Sequence, residues 1–228
     1  MYFYCGKVKF SFGNKTDFGQ PEILVSNHPN SFFDAILIAV YYPKEIYFLE
    51  RGDAFKNNQV ARILKKLHLI PIYRISEGKE NLTKNTDTFE ICTRLLKRGK
   101  CILIFAEGNC VHEWNLRPFK KGAARLAQNA LEDGNNQVQI IPISLNYNGF
   151  ENLPRAVIAN VNIGVEANSF DHNASSFFTE FNREIYSRLK QTLIIDKPKS
   201  EFLKKLNIFR SIILLPFALL GFASQYWI

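Results

Sequence analysis

Short apolar runs alternate along this chain with longer stretches in which apolar residues recur every three or four positions. Ile23 to Ser26 has the length and continuity of a short buried strand, and Cys101-Ile102-Leu103-Ile104-Phe105 is an unbroken apolar run suited to the centre of a sheet. Glu45 to Leu49, Leu69 to Ile72, Gln139 to Ile143 and Val157 to Ile163 read as further strands, with Pro142 implying an edge or a strand end. Met1 to Phe12 alternates apolar and basic residues and fits a strand or an interfacial segment. Between the strands lie helical patterns. Asp34 to Val40 opens an apolar helix, and Phe55, Val60, Ile63, Leu64 and Leu67 recur at helical spacing with Lys65 and Lys66 on the polar side. Phe89, Cys92, Leu95 and Leu96 mark a helix face that stops at Lys97-Arg98-Gly99-Lys100, a basic last turn closed by a glycine. Phe177 or Phe178, Phe181, Ile185 and Leu189 form one face of a last amphipathic helix, suited to covering the sheet.

This alternation predicts a single α/β domain over residues 1–200, with a mixed, mainly parallel sheet and helices on both faces. The pattern then changes. Ser211 to Ile228 carries no charge, and its eighteen residues are marginal for a bilayer core of about 30 Å. Lys197, Lys199, Lys204, Lys205 and Arg210 precede it. Residues 201–228 are therefore expected to be a basic juxtamembrane segment and an apolar membrane anchor, holding a cytoplasmic catalytic domain against anionic lipid. A buried C-terminal helix is the other reading of the same residues.

Composition narrows the partners without choosing one. A formal net charge of +8 and a pI near 9.3 suit nucleic acid, anionic lipid or a phosphate-bearing substrate. No helix-turn-helix, RNA-binding aromatic motif or zinc-finger spacing is present, so nucleic acid is not the expected partner. Cys5, Cys92, Cys101 and Cys110 form no C-x-x-C pair, which favours reduced thiols. Cys92 and Cys101 read as small core residues. Cys110 sits just beyond Glu107-Gly108, where a nucleophile is conceivable, although an alcohol that attacks in one step needs none.

The chemistry concentrates where the first buried strand ends. Asn27-His28 follows Ser26 directly, and Asp34 lies at the start of the next helix. A carboxylate that accepts the Nδ1 proton of His28 fixes the tautomer and leaves Nε2 free as a base for an alcohol proton. A loop histidine beside a helix-capping aspartate is the plainer alternative. Glu107-Gly108 follows the central strand, which puts its carboxylate on the same sheet edge as His28, where the plainer alternative is a structural pairing with Arg74 or Arg117. Arg117, Lys120 and Lys121 precede a helix rich in small residues. Basic groups there oppose the helix dipole unless an anion gathers, so they are candidates for a phosphate or simply a solvated surface. Arg74 ends another strand and is either a surface arginine or a fork that suits phosphate.

Four blocks in order resemble the signatures of the glycerolipid acyltransferases, the family that includes 1-acylglycerol-3-phosphate acyltransferase. They are Asn27-His28 with Asp34, His68-Leu69-Ile70-Pro71-Ile72-Tyr73-Arg74, Ile104-Phe105-Ala106-Glu107-Gly108 and Ile140-Ile141-Pro142-Ile143. The resemblance runs from about residue 20 to about residue 165. It implies transfer of a fatty acyl group from acyl-CoA or acyl carrier protein to the free hydroxyl of a lysophosphatidic acid-like acceptor, with no cofactor and no metal. In that reading His28 and Asp34 are catalytic. Asn27, Arg74, Glu107, Gly108, Arg117, Lys120, Lys121 and Pro142 contribute to substrate binding, with Arg74 on the acceptor phosphate. Related acceptors, namely glycerol-3-phosphate, another lysophospholipid or an amino lipid, fit the same motifs, as does a membrane-binding scaffold that has lost catalysis.

Two departures from the family pattern carry structural consequences. Five residues separate His28 from Asp34 where the family usually has four, so the loop must bulge or the helix must start differently for the pair to meet. Ala106, Asn109, Cys110 and Val111 replace residues of the usual Phe-Pro-Glu-Gly-Thr-Arg-Ser block, and its arginine is gone.

Overall fold

The structure, a computed structural model, describes residues 5–13, 18–73, 84–150 and 155–194. Arg74 and the basic and apolar stretch expected at 201–228 lie outside the described residues. Among the described residues no helix is long and apolar enough to cross a membrane.

Among the described residues eight strands form one sheet: β1 (Cys5–Phe12), β2 (Glu22–Ser26), β3 (Ile46–Arg51), β4 (Leu69–Ile72), β5 (Cys101–Phe105), β6 (Gln139–Tyr147), β7 (Arg155–Val161) and the short β8 (Val165–Glu166). Their spatial order is β1-β7-β6-β2-β5-β3-β4, with β8 beside the start of β6. Five pairings, β1 with β7, β2 with β5 and β6, and β3 with β4 and β5, are parallel, and two, β6 with β7 and with β8, are antiparallel, giving the expected mixed sheet. The helices are α1 (Phe32–Tyr41), α2 (Asn58–Lys66), α3 (Lys84–Lys97), α4 (Gly122–Glu132) and α5 (Phe177–Thr192).

The central strands are apolar throughout because both faces are covered. Successive side chains point to opposite sides, so Ile23 and Val25 join one core with Ile102, Ile104 and Ile140, while Leu24 joins the other with Leu103, Ile141 and Ile143. The first core is roofed by α3, α4 and α5, and the second by α1 through Leu37 and Ile38. Helix α4 approaches closely because it buries Ala123, Ala124, Ala127 and Ala130. In α5 the predicted apolar face is Phe177, Phe181, Ile185 and Leu189, all buried, and Phe178 lies at its margin. Full burial of a side chain of this size contributes about 1.5–3 kcal/mol. Helix α3 ends as its sequence foretells: Gly99 takes φ 71°, and the Lys100 amide bonds back to Leu95 O.

The expectation that Pro142 marks a sheet edge is corrected. Pro142 is buried in β6, an interior strand, opposite Val25 of β2. On its other side β6 pairs with β8 at Gln139 and Ile140 and with β7 from Ile143 onward. Pro142 falls where one partner hands over to the other, so its missing N–H costs no ladder bond there. Its carbonyl still accepts from the Asn162 amide.

At the opposite end of the sheet from the strand C-termini, Glu22 is fully buried at the first position of β2. It accepts from the Tyr42 hydroxyl at 2.9 Å and lies 3.4 Å from Lys44 Nζ. Burial pushes its carboxyl above the ordinary 4.5, against the opposing pull of Lys44 and Tyr42. A carboxyl raised in the folded state favours folding below its ordinary value, and that contribution is lost as pH rises through the folded value. Urea titrations should therefore show the wild type losing stability relative to Glu22→Gln as pH is raised from about 4 toward neutrality. A difference that is flat, or of opposite slope, would contradict the assignment.

Candidate active site

Parallel strands that begin level also end level, and the loops after them share one edge. Ser26 at the end of β2 is level with Phe105 of β5 and Ile143 of β6. The loops starting at Asn27 and Ala106 are thus neighbours, while β6 runs on beside them to Tyr147. His28 and Glu107 sit on these two loops.

The longer spacing between His28 and Asp34 is absorbed by the loop. Ser31, immediately before α1, adopts φ 52°, a conformation unusual for a residue with a side chain. That turn brings Asp34, in the first turn of α1, back under His28, with Nδ1 and Oδ2 at 2.9 Å. The same Oδ2 accepts from the Asn30 amide at 2.7 Å, and Oδ1 accepts from the Tyr147 hydroxyl at 2.7 Å. Asp34 is 0 % exposed, so its charge is held by three donors and the helix N-terminus rather than by water. His28 keeps 18 % of its side chain accessible and stacks on Phe105 at 3.8 Å between ring centroids. With Nδ1 committed to the carboxylate, Nε2 is the nitrogen left to exchange a proton with a substrate.

Tyr147 and Leu145 are site residues that sequence reading missed. The Asn27 side chain donates to Leu145 O at 2.9 Å and accepts from Leu145 N at 2.8 Å. Asn27 is buried, and these two bonds tie the histidine loop to β6. Pro142 is likewise buried and makes its contribution through the strand it belongs to. The fourth block reaches the site through Leu145 and Tyr147, a few residues further along. The available signal was a polar aromatic residue at the end of a buried strand, which needs a hydrogen-bond partner.

Glu107 is buried and paired with Arg117, whose Nη2 donates to Oε2 at 2.8 Å while its amide donates to Oε1 at 3.3 Å. Arg117 also donates to Asn109 O. Its guanidinium therefore braces the loop after β5, the structural pairing with Glu107 that was one of the readings open to the sequence. Gly108 has φ 71°, and a Cβ there would stand 3.0 Å from Lys120 Cγ, so both backbone shape and space call for glycine. Lys120 and Lys121 are exposed at the start of α4, with Lys121 Nζ 5.7 Å from the Phe178 ring. They remain available to an anion. Tyr73, which precedes Arg74 in the chain, is pinned through both its amide and its carbonyl by Asn85 at 2.8 Å each.

Cys110 accepts from the Ser31 amide at 2.9 Å. Burial, reinforced by the nearby Asp34 charge, pushes its thiol up to about 11, so it is protonated near neutrality and unsuited to nucleophilic attack. Its place is structural, joining the third block to the histidine loop together with the bond from the Val111 amide to His28 O. Cys92 and Cys101 are buried in the core, as expected. No cluster of three or more metal-ligating side chains occurs among the described residues.

Parts of the chain are similar to known proteins. Over 100 residues the chain is 28% identical to the 1-acyl-sn-glycerol-3-phosphate acyltransferase of Bacillus subtilis (strain 168), covering 43% of this chain and 46% of that protein. It is 27% identical over 125 residues to the chloroplastic 1-acyl-sn-glycerol-3-phosphate acyltransferase LPAT1 of Arabidopsis thaliana, covering 55% and 32% respectively. These matches span less than half the length of either relative. The crystal structure of the 1-acyl-sn-glycerophosphate (LPA) acyltransferase PlsC from Thermotoga maritima shares the fold, with a TM-score of 0.57 at 15% identity, over 86% of this chain and 74% of that one. The family description Acyltransferase matches residues 7–146, a span that contains the histidine loop, its aspartate and the glutamate-bearing loop alike, and on that match the chain belongs to the Acyltransferase family.

Proposed function

We propose that this protein transfers a fatty acyl group from a thioester, acyl-CoA or acyl carrier protein, to the free hydroxyl of a lysophosphatidic acid-like acceptor in phospholipid synthesis. The observation that carries the reading is the 2.9 Å contact between His28 Nδ1 and a fully buried Asp34. His28 Nε2 takes the hydroxyl proton as the acceptor oxygen attacks the thioester carbonyl. The tetrahedral intermediate collapses by breaking the carbon–sulfur bond, and the departing thiolate receives the proton from the imidazolium. Asp34 stabilises that imidazolium and keeps the ring oriented.

The acceptor phosphate is drawn to Lys120 and Lys121 at the start of α4 and to Arg74, which follows the pinned Tyr73 in the chain. The reaction calls for no cofactor beyond the thioester donor. The protein works at an anionic membrane surface on the cytoplasmic side, consistent with its net charge of +8 and the uncharged stretch from Ser211 onward. The hydrogen-bonded His28–Asp34 pair argues against a scaffold that has lost catalysis, since a scaffold has no use for an oriented imidazole.

An acceptor-by-donor screen in detergent tests the proposal. Lysophosphatidic acid with acyl-CoA or acyl carrier protein should release free thiol and yield a diacylated product by mass spectrometry. Glycerol-3-phosphate, other lysophospholipids and amino lipids should give less. If no acceptor yields product with either donor, the reading fails. If another acceptor is preferred, acyl transfer stands and the acceptor assignment falls.

A further inference from the structure

Helix α2 is formed, capped and amphipathic, yet it buries none of its residues. Asn57 Oδ1 accepts from the amides of Gln59 and Val60, so the helix is held by its own cap rather than by packing. Val60, Ile63, Leu64 and Leu67 recur at i, i+3, i+4 and i+7 and make one apolar stripe. Val60 is 43 % exposed, and Ile63 and Leu67 are each 59 % exposed. A stripe of this kind normally faces a core; here Leu64 is partly buried, while Val60, Ile63 and Leu67 are left open by the described residues.

The charges around it say what it fits. Lys56, Arg62, Lys65 and Lys66 are exposed on the same segment, and the sequence from Ala54 to Ser76 contains no acidic residue. A short helix that combines a bare apolar stripe with a purely basic flank complements an anionic bilayer surface, where the stripe enters the acyl boundary and the cations meet lipid headgroups. A protein partner with an apolar groove would gain nothing from so one-sided a charge unless it were itself acidic.

We infer that α2 is a membrane-docking element that seats the protein on anionic lipid through Val60, Ile63, Leu64 and Leu67, flanked by Arg62, Lys65 and Lys66. Its position gives the contact a consequence. Strand β3 is parallel to β2 and β5, so the turn Gly52–Phe55 that leads into α2 leaves the sheet at the edge where His28 and Glu107 lie. Lipid docking at α2 would therefore bring the histidine edge toward the bilayer, from which a single-chain lipid can enter.

The test is independent of catalysis. The full chain is mixed with unilamellar vesicles of phosphatidylcholine alone or with phosphatidylglycerol, and bound protein is measured by co-sedimentation. Any attachment through residues 211–228 is common to wild type and variants, so the reading is the difference between them: the wild type should bind anionic vesicles more tightly than neutral ones, by a margin that shrinks on raising salt. Ile63→Asp with Leu67→Asp should weaken that binding about tenfold or more, and Arg62→Gln with Lys65→Gln and Lys66→Gln should weaken it about 100-fold and flatten the salt dependence. Because these side chains are exposed, both variants should keep the wild-type circular dichroism and melting temperature, and both should keep their rate on detergent-dispersed substrate. Val40→Asp is the matched control, since Val40 is 60 % exposed on α1 without basic residues in that helix's last turn, and it should bind as the wild type does. Wild-type binding in both α2 variants, or equal binding to both vesicle types, overturns the inference. So does a change of oligomeric state or a large drop in melting temperature without loss of vesicle binding, which would mean that a second copy or the chain's own residues 212–222 cover the stripe.

Discussion

Alanine at position 28 is expected to lower acyl transfer by about 10²–10⁴-fold, the range supplied by a positioned general base. The effect should fall on the turnover rate, because the imidazole acts on the reacting proton and the acceptor phosphate is bound elsewhere. The fold should survive. His28 is partly exposed, and without it Asp34 still accepts from Asn30 and Tyr147, so no buried charge is stranded. Thiol release under saturating acceptor, with a melting curve taken in parallel, checks both halves. A variant within a few-fold of wild type would remove His28 from the chemistry.

Asp34→Asn should cost about as much activity and more stability. The carboxylate faces three donors, from His28, Asn30 and Tyr147, and an amide has one oxygen to offer them. If the new NH₂ takes the place of Oδ2, it confronts the Asn30 amide and forces the imidazole to accept at Nδ1. That moves the ring proton to Nε2 and abolishes the base. The loss expected from a reversed tautomer is about 10³–10⁴-fold in turnover. Leaving buried donors unmatched should also cost about 1–3 kcal/mol of folding stability. Tyr147→Phe separates the two effects, because it removes the partner of Oδ1 and leaves the oxygen that holds His28. Its activity should stay within about tenfold of wild type, in keeping with the net worth of one hydrogen bond. Equal losses in Asp34→Asn and Tyr147→Phe would mean that the carboxylate serves packing more than orientation.

Much of the fold is legible because period and continuity report burial directly. Ile23-Leu24-Val25 and Cys101 to Phe105 are apolar at every position since each face of their strands meets helices, and α5 shows its buried face at four-residue spacing. The histidine and aspartate are legible as residue types beside a strand end. How they meet across five intervening residues is not, because that depends on the single strained turn at Ser31.

What escapes a linear reading is long-range pairing. Tyr147 and Asp34 are 113 positions apart and meet only because β6 outruns β2 along the shared edge. Glu107 could pair with Arg74 or Arg117 as far as the sequence goes, and the fold is what selects Arg117. Pro142 reads as an edge marker because proline usually is one, and a strand that changes partners midway supplies the exception. Helix α2 misleads in the opposite direction, since its apolar spacing promises burial that the described residues do not provide.

The position of one proton on the His28 ring is the most direct test of the whole account. With only four histidines in the chain, the nitrogen-15 spectrum of histidine-labelled protein is simple, and the spectrum of His28→Ala assigns the signal of interest. At a pH where the ring is neutral, the account predicts a proton on Nδ1, hydrogen-bonded to Asp34, and a bare Nε2. A proton found on Nε2, with Nδ1 unprotonated, would contradict it.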